Sequence, residues 1–498
     1  MGIPFNRIVI VGGGTAGWMA ATAIATAMRG RSAVEVVESE EIGIVGVGEA
    51  TFPSIRAYNK IVGIDEAEFL RATNGTYKLG IEFRDWRIRG EGYFHTFGDF
   101  GELRGPHALW GQHRRLGDPA LGGVAEQCLP TVMARQGRFV VPDEKGGAVY
   151  QYAYHFDAAL YAAFLRRLAL ARGARRTEGR IVDVMRRGDG GVQSLKLADG
   201  REISGDLFID CSGFGSLLLG KTLVEPFVDF SRWLPVDGAW ACPCERSSTE
   251  LTPYTRATAL EGGWAWRIPL QSRTGHGHVF SSRHIDVERA REQLLQQLDG
   301  KPLAEPRLLR FTTGHRARFW VHNVVALGLS SGFLEPLEST SIFLIQSGLG
   351  RLMALLTAGA PVGASVGDEA VASYNARAVR EFRRIRDFIL LHYCLSARRD
   401  SALWRDMATM ELPETLAFKI EAWRRFGVLH MHQDEGFDET SWFAIHAGMG
   451  HWPERADPVL QELPRDEALQ ALRRRREAIA ATVDRLPTHH DYLKAMLA

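Results

Sequence analysis

Arg7-Ile8-Val9-Ile10-Val11-Gly12-Gly13-Gly14-Thr15-Ala16-Gly17-Trp18 is the stretch whose reading decides the fold. Its first five residues are a β-branched run suited to a strand buried on both faces. A tight glycine turn follows, and then Trp18 to Arg29 carries Ala and Met with no helix breaker. Ala33 to Val37 reads as a second strand, ending at Glu38. The unit is therefore β-α-β, with parallel strands and a right-handed crossover expected. Gly12, Gly14 and Gly17 fit G-x-G-x-x-G in the context that gives the pattern meaning. Gly12 permits the tight turn, Gly14 lets the backbone approach a pyrophosphate, and Gly17 allows close packing of helix on strand. The helix N-terminus, with Thr15 and Ala16 in its first turn, offers unpaired N–H groups to phosphates. Glu38 stands where a carboxylate accepts hydrogen bonds from ribose hydroxyls.

This fingerprint does not separate NAD from FAD; two later segments do. Asp206 to Gly213 (DLFIDCSG) and Asn323 to Pro336 (NVVALGLSSGFLEP) each run from a hydrophobic strand into a small-residue turn. The second is expected to lead directly into a helix whose N-terminus points at a flavin ring. Such late returns of the chain to its coenzyme resemble flavin-dependent monooxygenases, and no second fingerprint marks a permanently bound nicotinamide.

The 498 residues are 45% hydrophobic, enough for a large core and two or three domains. Charge is balanced, 60 Lys plus Arg against 59 Asp plus Glu, which removes any global electrostatic case for nucleic acid. Five scattered cysteines suit a reduced, cytoplasmic setting better than a disulfide framework. No metal is expected, since Cys242-Pro243-Cys244 has no second ligand cluster at zinc spacing. No leader is expected either, because Ile8–Val11 runs straight into the glycine turn. The apolar stretch from Val321 to Leu356 is interrupted by Glu335, Glu338 and Arg351, so it reads as core and not a membrane span.

The fold expected is α/β: a Rossmann-like FAD domain over 1–370, assembled from discontinuous segments. Substrate-facing insertions are expected at about 90–150 and 225–305, and a mainly helical region at 371–498. The first insertion should be loops and short strands. Tyr150 to Arg172 should be a helix, and Ile181–Arg186 with Val192–Leu197 a hairpin. The run Arg473–Arg476 reads as a solvated helix face.

Three further segments give the chain a family resemblance: Thr76-Tyr77-Lys78-Leu79-Gly80-Ile81-Glu82-Phe83, Gly263-Trp264-Ala265-Trp266-Arg267-Ile268-Pro269, and Glu335-Pro336-Leu337-Glu338-Ser339-Thr340. With the glycine turn, Gly46 to Thr51 (GVGEAT) and Arg386 to Tyr393 (RDFILLHY), they resemble the flavin-dependent tryptophan halogenases over most of the chain to about residue 410. The resemblance implies that reduced FAD and oxygen turn chloride or bromide into hypohalous acid. This travels to Lys78, beside which an electron-rich ring is substituted. Lys78 acts either as a neutral amine forming an N-haloamine or as an ammonium holding the acid by a hydrogen bond, and both readings stay open. Glu338 is implied near it, as base or charge stabiliser. Alone, it reads equally as a helix N-terminal acid. Ser339 is implied to link flavin and lysine regions through its backbone.

Trp264 and Trp266, alternating on a strand, are implied to crowd the flavin and discourage monooxygenation; they also read as aromatic core. Val47, Glu49, Ala50, Val182, Leu329 and Ile342 join the FAD contacts by the same implication. Halide falls to the N–H groups of Thr340 and Ser341, where the family usually has glycine after threonine. His95, Phe97 and Trp442 are candidates to contact an aromatic substrate. A tryptophan-clamping segment is not matched residue by residue, so free tryptophan is one candidate among indoles, phenols and peptide-borne tryptophan. A separate NAD(P)H-dependent reductase is the implied partner, and a homodimer is compatible. The alternatives are a flavin monooxygenase, hydroxylating or epoxidising on the same scaffold, and a flavin-binding module without chemistry.

Overall fold

The computed structural model describes residues 5–41, 48–143, 150–246, 251–357 and 366–498. The chain packs as two units. The first comprises Met1–Gly75, Phe156–Asp237 and Arg310–Arg383; the second comprises Thr76–His155, Gly238–Leu309 and Arg384–Ala498.

In the first unit a six-stranded sheet has the order Trp320–Val321, Val324–Ala326, Leu207–Asp210, Arg7–Val11, Ala33–Glu38, Arg175–Glu178. All neighbours are parallel except the outermost pair, Trp320–Val321 with Val324–Ala326. Ile8, Val9 and Ile10 are wholly buried, as a two-sided strand requires. The helix after the glycine turn spans Thr15–Met28, three residues earlier than its side chains suggested, because Thr15 and Ala16 already take helical geometry. It packs against the helix Ala158–Ala171, where the Thr22 hydroxyl donates to Leu165 O at 3.1 Å. The expected hairpin forms over Ile181–Arg186 and Val192–Leu197.

Two local expectations are corrected. Residues 153–157 form a strand, and the helix starts only at Ala158. Tyr152, Tyr154 and Phe156 alternate with Ala153 and His155, the period of two that a strand needs, and the Asp157 side chain caps the helix behind them. The strand Val324–Ala326 does not lead directly into a helix. The turn Gly328–Ser330, a short strand and the turn Pro336–Glu338 intervene before the helix Thr340–Thr357. That helix is long and apolar enough to cross a membrane, but its face of Ile342, Ile345, Leu349, Leu352 and Leu356 is buried within the unit.

In the second unit a seven-stranded sheet has the order Arg307–Arg310, Gly238–Cys244, Thr274–Phe280, Gly263–Pro269, Thr255–Ala259, Gly80–Arg84, Gly92–Thr96. Thr255–Ala259 and Gly80–Arg84 run parallel. The region expected to be loops and short strands holds helices at Leu109–Leu116 and Leu129–Arg135. They are too short to show periodicity in sequence. The C-terminal region is helical, as expected. Its arginine run is not merely solvated: Arg473 pairs with Asp118 at 2.7 Å, and Arg475 donates to Gln127 O at 2.9 Å and Asp99 Oδ1 at 3.0 Å.

Candidate active site

The coenzyme end of the first unit follows from its glycines. Gly12 has φ +110°, and a Cβ there would lie 2.3 Å from Cys211 O. A Cβ on Gly17 would lie 1.9 Å from Gly12 O, so only glycine lets this helix sit so close to its turn. Gly14 differs, since a Cβ there meets nothing within 4 Å. It is the N-cap of the helix, with no side chain capping it and no acid in the first turn. No N-cap side chain accepts from the first turn, whose N–H groups, with Thr15 and Ala16, carry the helix's partial positive charge. That cradle fits a pyrophosphate.

Glu38 reaches back across the turn; a Cβ on Gly13 would lie 1.3 Å from its Oε2. The carboxylate accepts from Arg176 Nε at 2.5 Å and from Trp18 Nε1 at 3.3 Å, and it keeps lone pairs for ribose hydroxyls. Sequence reading missed both donors. A cavity of about 470 Å3, lined by Ser39, Arg176, Glu178 and Arg201 among others, opens beside this strand end.

The two later returns meet the same turn. Gly328, at φ +70°, would place a Cβ 2.9 Å from that of Ala16. Ser216 Oγ donates to Ser330 O at 2.9 Å, and Ser330 Oγ donates to Asp210 O. Leu329 is thus held beside the glycine turn. Glu49 and Ala50 lie on the short strand Gly48–Ala50 of this unit. Val47 lies outside the described residues, and Val182 is 48% exposed on the hairpin.

Glu338 ends the turn Pro336–Glu338 and is 2% exposed, so it is a buried acid ahead of the helix and not a solvated residue of its first turn. Ser339 is held in the left-handed region at φ +59°, an uncommon conformation for a non-glycine residue. Thr340 is 1% exposed, and its hydroxyl has no partner among the described residues. An orphaned buried donor at the start of a helix, beside half-buried Ser341 and buried Ile342, fits an anion.

Lys78 belongs to the second unit. It ends the strand Thr76–Lys78, pairs with Ala153 across an antiparallel ladder, and is 0% exposed. Its Nζ lies 5.4 Å from the centre of the Phe97 ring. Thr76 shares its face of the strand. The Thr76 hydroxyl donates to Pro269 O at 2.8 Å, which leaves it to accept from His155 Nδ1 at 3.1 Å. His155 Nε2 then accepts from the Thr255 hydroxyl at 2.9 Å, so the network fixes the tautomer. Burial, and secondly the Lys78 charge, hold the His155 imidazole well below its usual range. This chain joins the TYKLGIEF and W-x-W-x-I-P segments, a link no reading of either alone would supply.

Trp264 and Trp266, 6.2 Å apart by ring centres, are buried in the sheet of this unit. Trp266 stands opposite Gly277, where a Cβ would lie 2.0 Å from the indole. His95, 1% exposed, faces Phe388 at 5.6 Å and Phe437 at 6.1 Å. Phe388 and Phe437 stack at 3.9 Å, and Trp442 meets Phe388 edge-on at 5.1 Å. Trp442 also carries Lys419 Nζ 3.8 Å over its ring, and that ammonium is paired with half-buried Glu435. Phe437 was missed in sequence because a lone aromatic in a polar loop carries no periodic signal. A cavity in this unit, about 550 Å3, is lined by Phe94, Trp110, Val124 and Trp452 among others; Lys78, His95 and Phe97 are not in its lining.

The candidates thus divide. The glycine turn, Glu38, Leu329, Glu338, Ser339, Thr340, Ser341 and Ile342 gather in the first unit, and Lys78, His95, Phe97, Trp264, Trp266 and Trp442 in the second. The comparisons bear on the whole chain. The sequence profile of the tryptophan halogenases matches residues 7–465. The chain is 34% identical over 523 residues to a tryptophan 6-halogenase, SttH, of Streptomyces toxytricini, covering 99% of this chain and 98% of that one. Among solved structures it is similar to Xcc4156, a flavin-dependent halogenase from Xanthomonas campestris, with TM-score 0.94, 42% identity and 99% and 98% of the two chains covered. It is equally similar to BrvH, a flavin-dependent halogenase from Brevundimonas sp. BAL3, with TM-score 0.93, 41% identity and 99% of each chain covered. These relatives give the monooxygenase alternative no support. With its glycine cradle and its buried lysine strand, this chain belongs to the tryptophan halogenase family and is a flavin-dependent halogenase.

Proposed function

We propose that the enzyme chlorinates or brominates an indole-type aromatic ring, with Lys78 presenting the electrophile. Its reductant is FAD reduced by a separate NAD(P)H-dependent enzyme, and the five free cysteines suit the reducing cytoplasm where such a partner works. Bound FADH2 supplies the two electrons with which O2, halide and a proton become hypohalous acid and water. The electrophilic halogen then replaces a ring hydrogen, and hydroxide and the ring proton leave as water.

One observation carries the reading: a lysine with no solvent exposure, on a strand, with an aromatic face 5.4 Å from its amine. Lysine is almost never fully buried unless paired, and desolvation makes its amine chemically adjustable. Phe97 and the wall of His95, Phe388 and Phe437 support an aromatic substrate of indole size. Glu338 is assigned the ring proton, as a carboxylate 2% exposed at the turn just ahead of the helix Thr340–Thr357. Thr340 and Ser341 are assigned the halide, which the orphaned Thr340 hydroxyl supports.

The test is Lys78→Ala, given FAD, a reductase, NADH, oxygen and bromide with a panel of indoles and phenols. FAD affinity should persist while the paired bromine isotope pattern vanishes from every product. Undiminished halogenation would dismiss the assignment of Lys78.

A further inference from the structure

The strand that carries Lys78 is only three residues long, Thr76–Lys78, and is paired along one edge by Ala153–Asp157. Its other edge continues a parallel ladder with the segment leading into Thr255–Ala259. Ile81 pairs with Thr255, and Leu79 N donates to Pro253 O at 2.7 Å. The next rung toward the N-terminus would join Tyr77 N to Leu251 O, and there an imidazole stands between them. Tyr77 N donates to His489 Nε2 at 3.1 Å, and His489 Nδ1 donates to Leu251 O at 2.9 Å. Accepting at one nitrogen and donating at the other requires the neutral ring. Burial enforces this, pushing the His489 pKa down to about 4.

His489 opens the last helix, His489–Leu497, which Thr488 caps, and its own N–H donates to Gly137 O at 2.8 Å. From the same helix Tyr492 packs 5.7 Å from the Tyr77 ring, and Phe139 stacks on Tyr77 at 4.2 Å. Lys78 is thus bracketed by a direct rung at Leu79 and an imidazole rung at Tyr77.

We infer that His489 is a positioning residue for Lys78, a side-chain rung that completes the ladder and fixes where the lysine amine points. This rests on the reading of Lys78 as the residue that presents the electrophile. His489 touches neither substrate nor electrophile. Its loss leaves the Tyr77 N–H without its acceptor and frees the lysine strand along one edge. The amine then drifts, and hypohalous acid escapes instead of reaching the ring.

The experiment compares wild type with His489→Leu, His489→Gln and Lys78→Ala, all loaded with reduced FAD. It reads the partition between halogenated aromatic and free hypohalous acid trapped by monochlorodimedone, with amide exchange of residues 76–79 and FAD affinity alongside. His489→Leu should shift the partition toward free acid by roughly 10-fold or more while FAD affinity is kept. Protection of residues 76–79 should fall, and His489→Gln, which retains an acceptor and a donor, should restore most of both. A Leu variant that exchanges faster at 76–79 yet partitions like wild type overturns the role. So does a Gln variant that folds but leaks as much as Leu. If the Leu variant does not fold, His489→Ala with and without added imidazole decides: rescue by imidazole is expected, and its absence overturns the inference. A wild-type partition in Lys78→Ala would instead strike at the reading of Lys78, while the exchange data would still report on the rung.

Discussion

In the first unit the groups offered to a dinucleotide lie between Gly12 and Glu38, close in sequence and mostly backbone N–H. In the second unit the surroundings of Lys78 come from everywhere. Thr76 bonds a histidine 79 positions away and a carbonyl 193 away, and Tyr77 bonds a histidine 412 away. The first site is a property of one supersecondary unit; the second exists only once distant segments have packed. His155, His278, His446 and His489, all in the second unit, are kept neutral by burial.

The sharpest challenge to this division is Glu338→Gln, since Glu338 belongs to the first unit while the lysine belongs to the second. Product formation should slow by roughly 100- to 1,000-fold, with the melting temperature held, because the change preserves shape and removes only the charge. A collapse in melting temperature would make Glu338 structural.

Acid should separate the units. A histidine held neutral in the fold, near pKa 4 for His278 and His489, binds its proton more readily when unfolded, at about 6.5. Stability of the second unit is therefore full above about pH 6.5 and lost progressively as pH falls toward 4. Each such histidine contributes on the order of 3 kcal/mol by pH 4. Hydrogen exchange followed from pH 7 to 4 should show second-unit amides losing protection first. Simultaneous loss would mean that the units unfold as one.

Gly17→Ala tests the local site. Its new Cβ would meet the Gly12 carbonyl at 1.9 Å, so the cradle must open. FAD binding should weaken by about 1–3 kcal/mol, read by flavin fluorescence titration, while exchange in residues 76–79 stays unchanged. The smallest effect is expected from Arg475→Ala. Losing its bonds to Gln127 O and Asp99 should cost about 1 kcal/mol in denaturant unfolding and loosen residues 99–127.

The same contrast explains what was legible. The central strands, the glycine turn and the hairpin were readable because each is encoded by periodicity or by glycine within a few residues. The strand Ala153–Asp157 was hidden inside an apparent helix because its alternation of aromatics with small residues merges with an alanine-rich helix behind it. The helices Leu109–Leu116 and Leu129–Arg135 were hidden because two turns are too few to show a period. Lys78 stood out only by the motif around it. Phe437 and His489 had no signal of their own in the sequence, and Phe388 had only its place in a motif.

By itself the sequence determined a dinucleotide cradle, because the need for no side chain at Gly12 and Gly17 is written in the residues themselves. Only the tertiary structure decided that Lys78 is dry, that Thr76 answers to Pro269 through its hydroxyl, and that a histidine from the last helix completes the lysine strand's ladder. The physical reason is that burial and hydrogen-bond partnership are relations between segments, and a chain read in order holds each partner without saying which one it will meet.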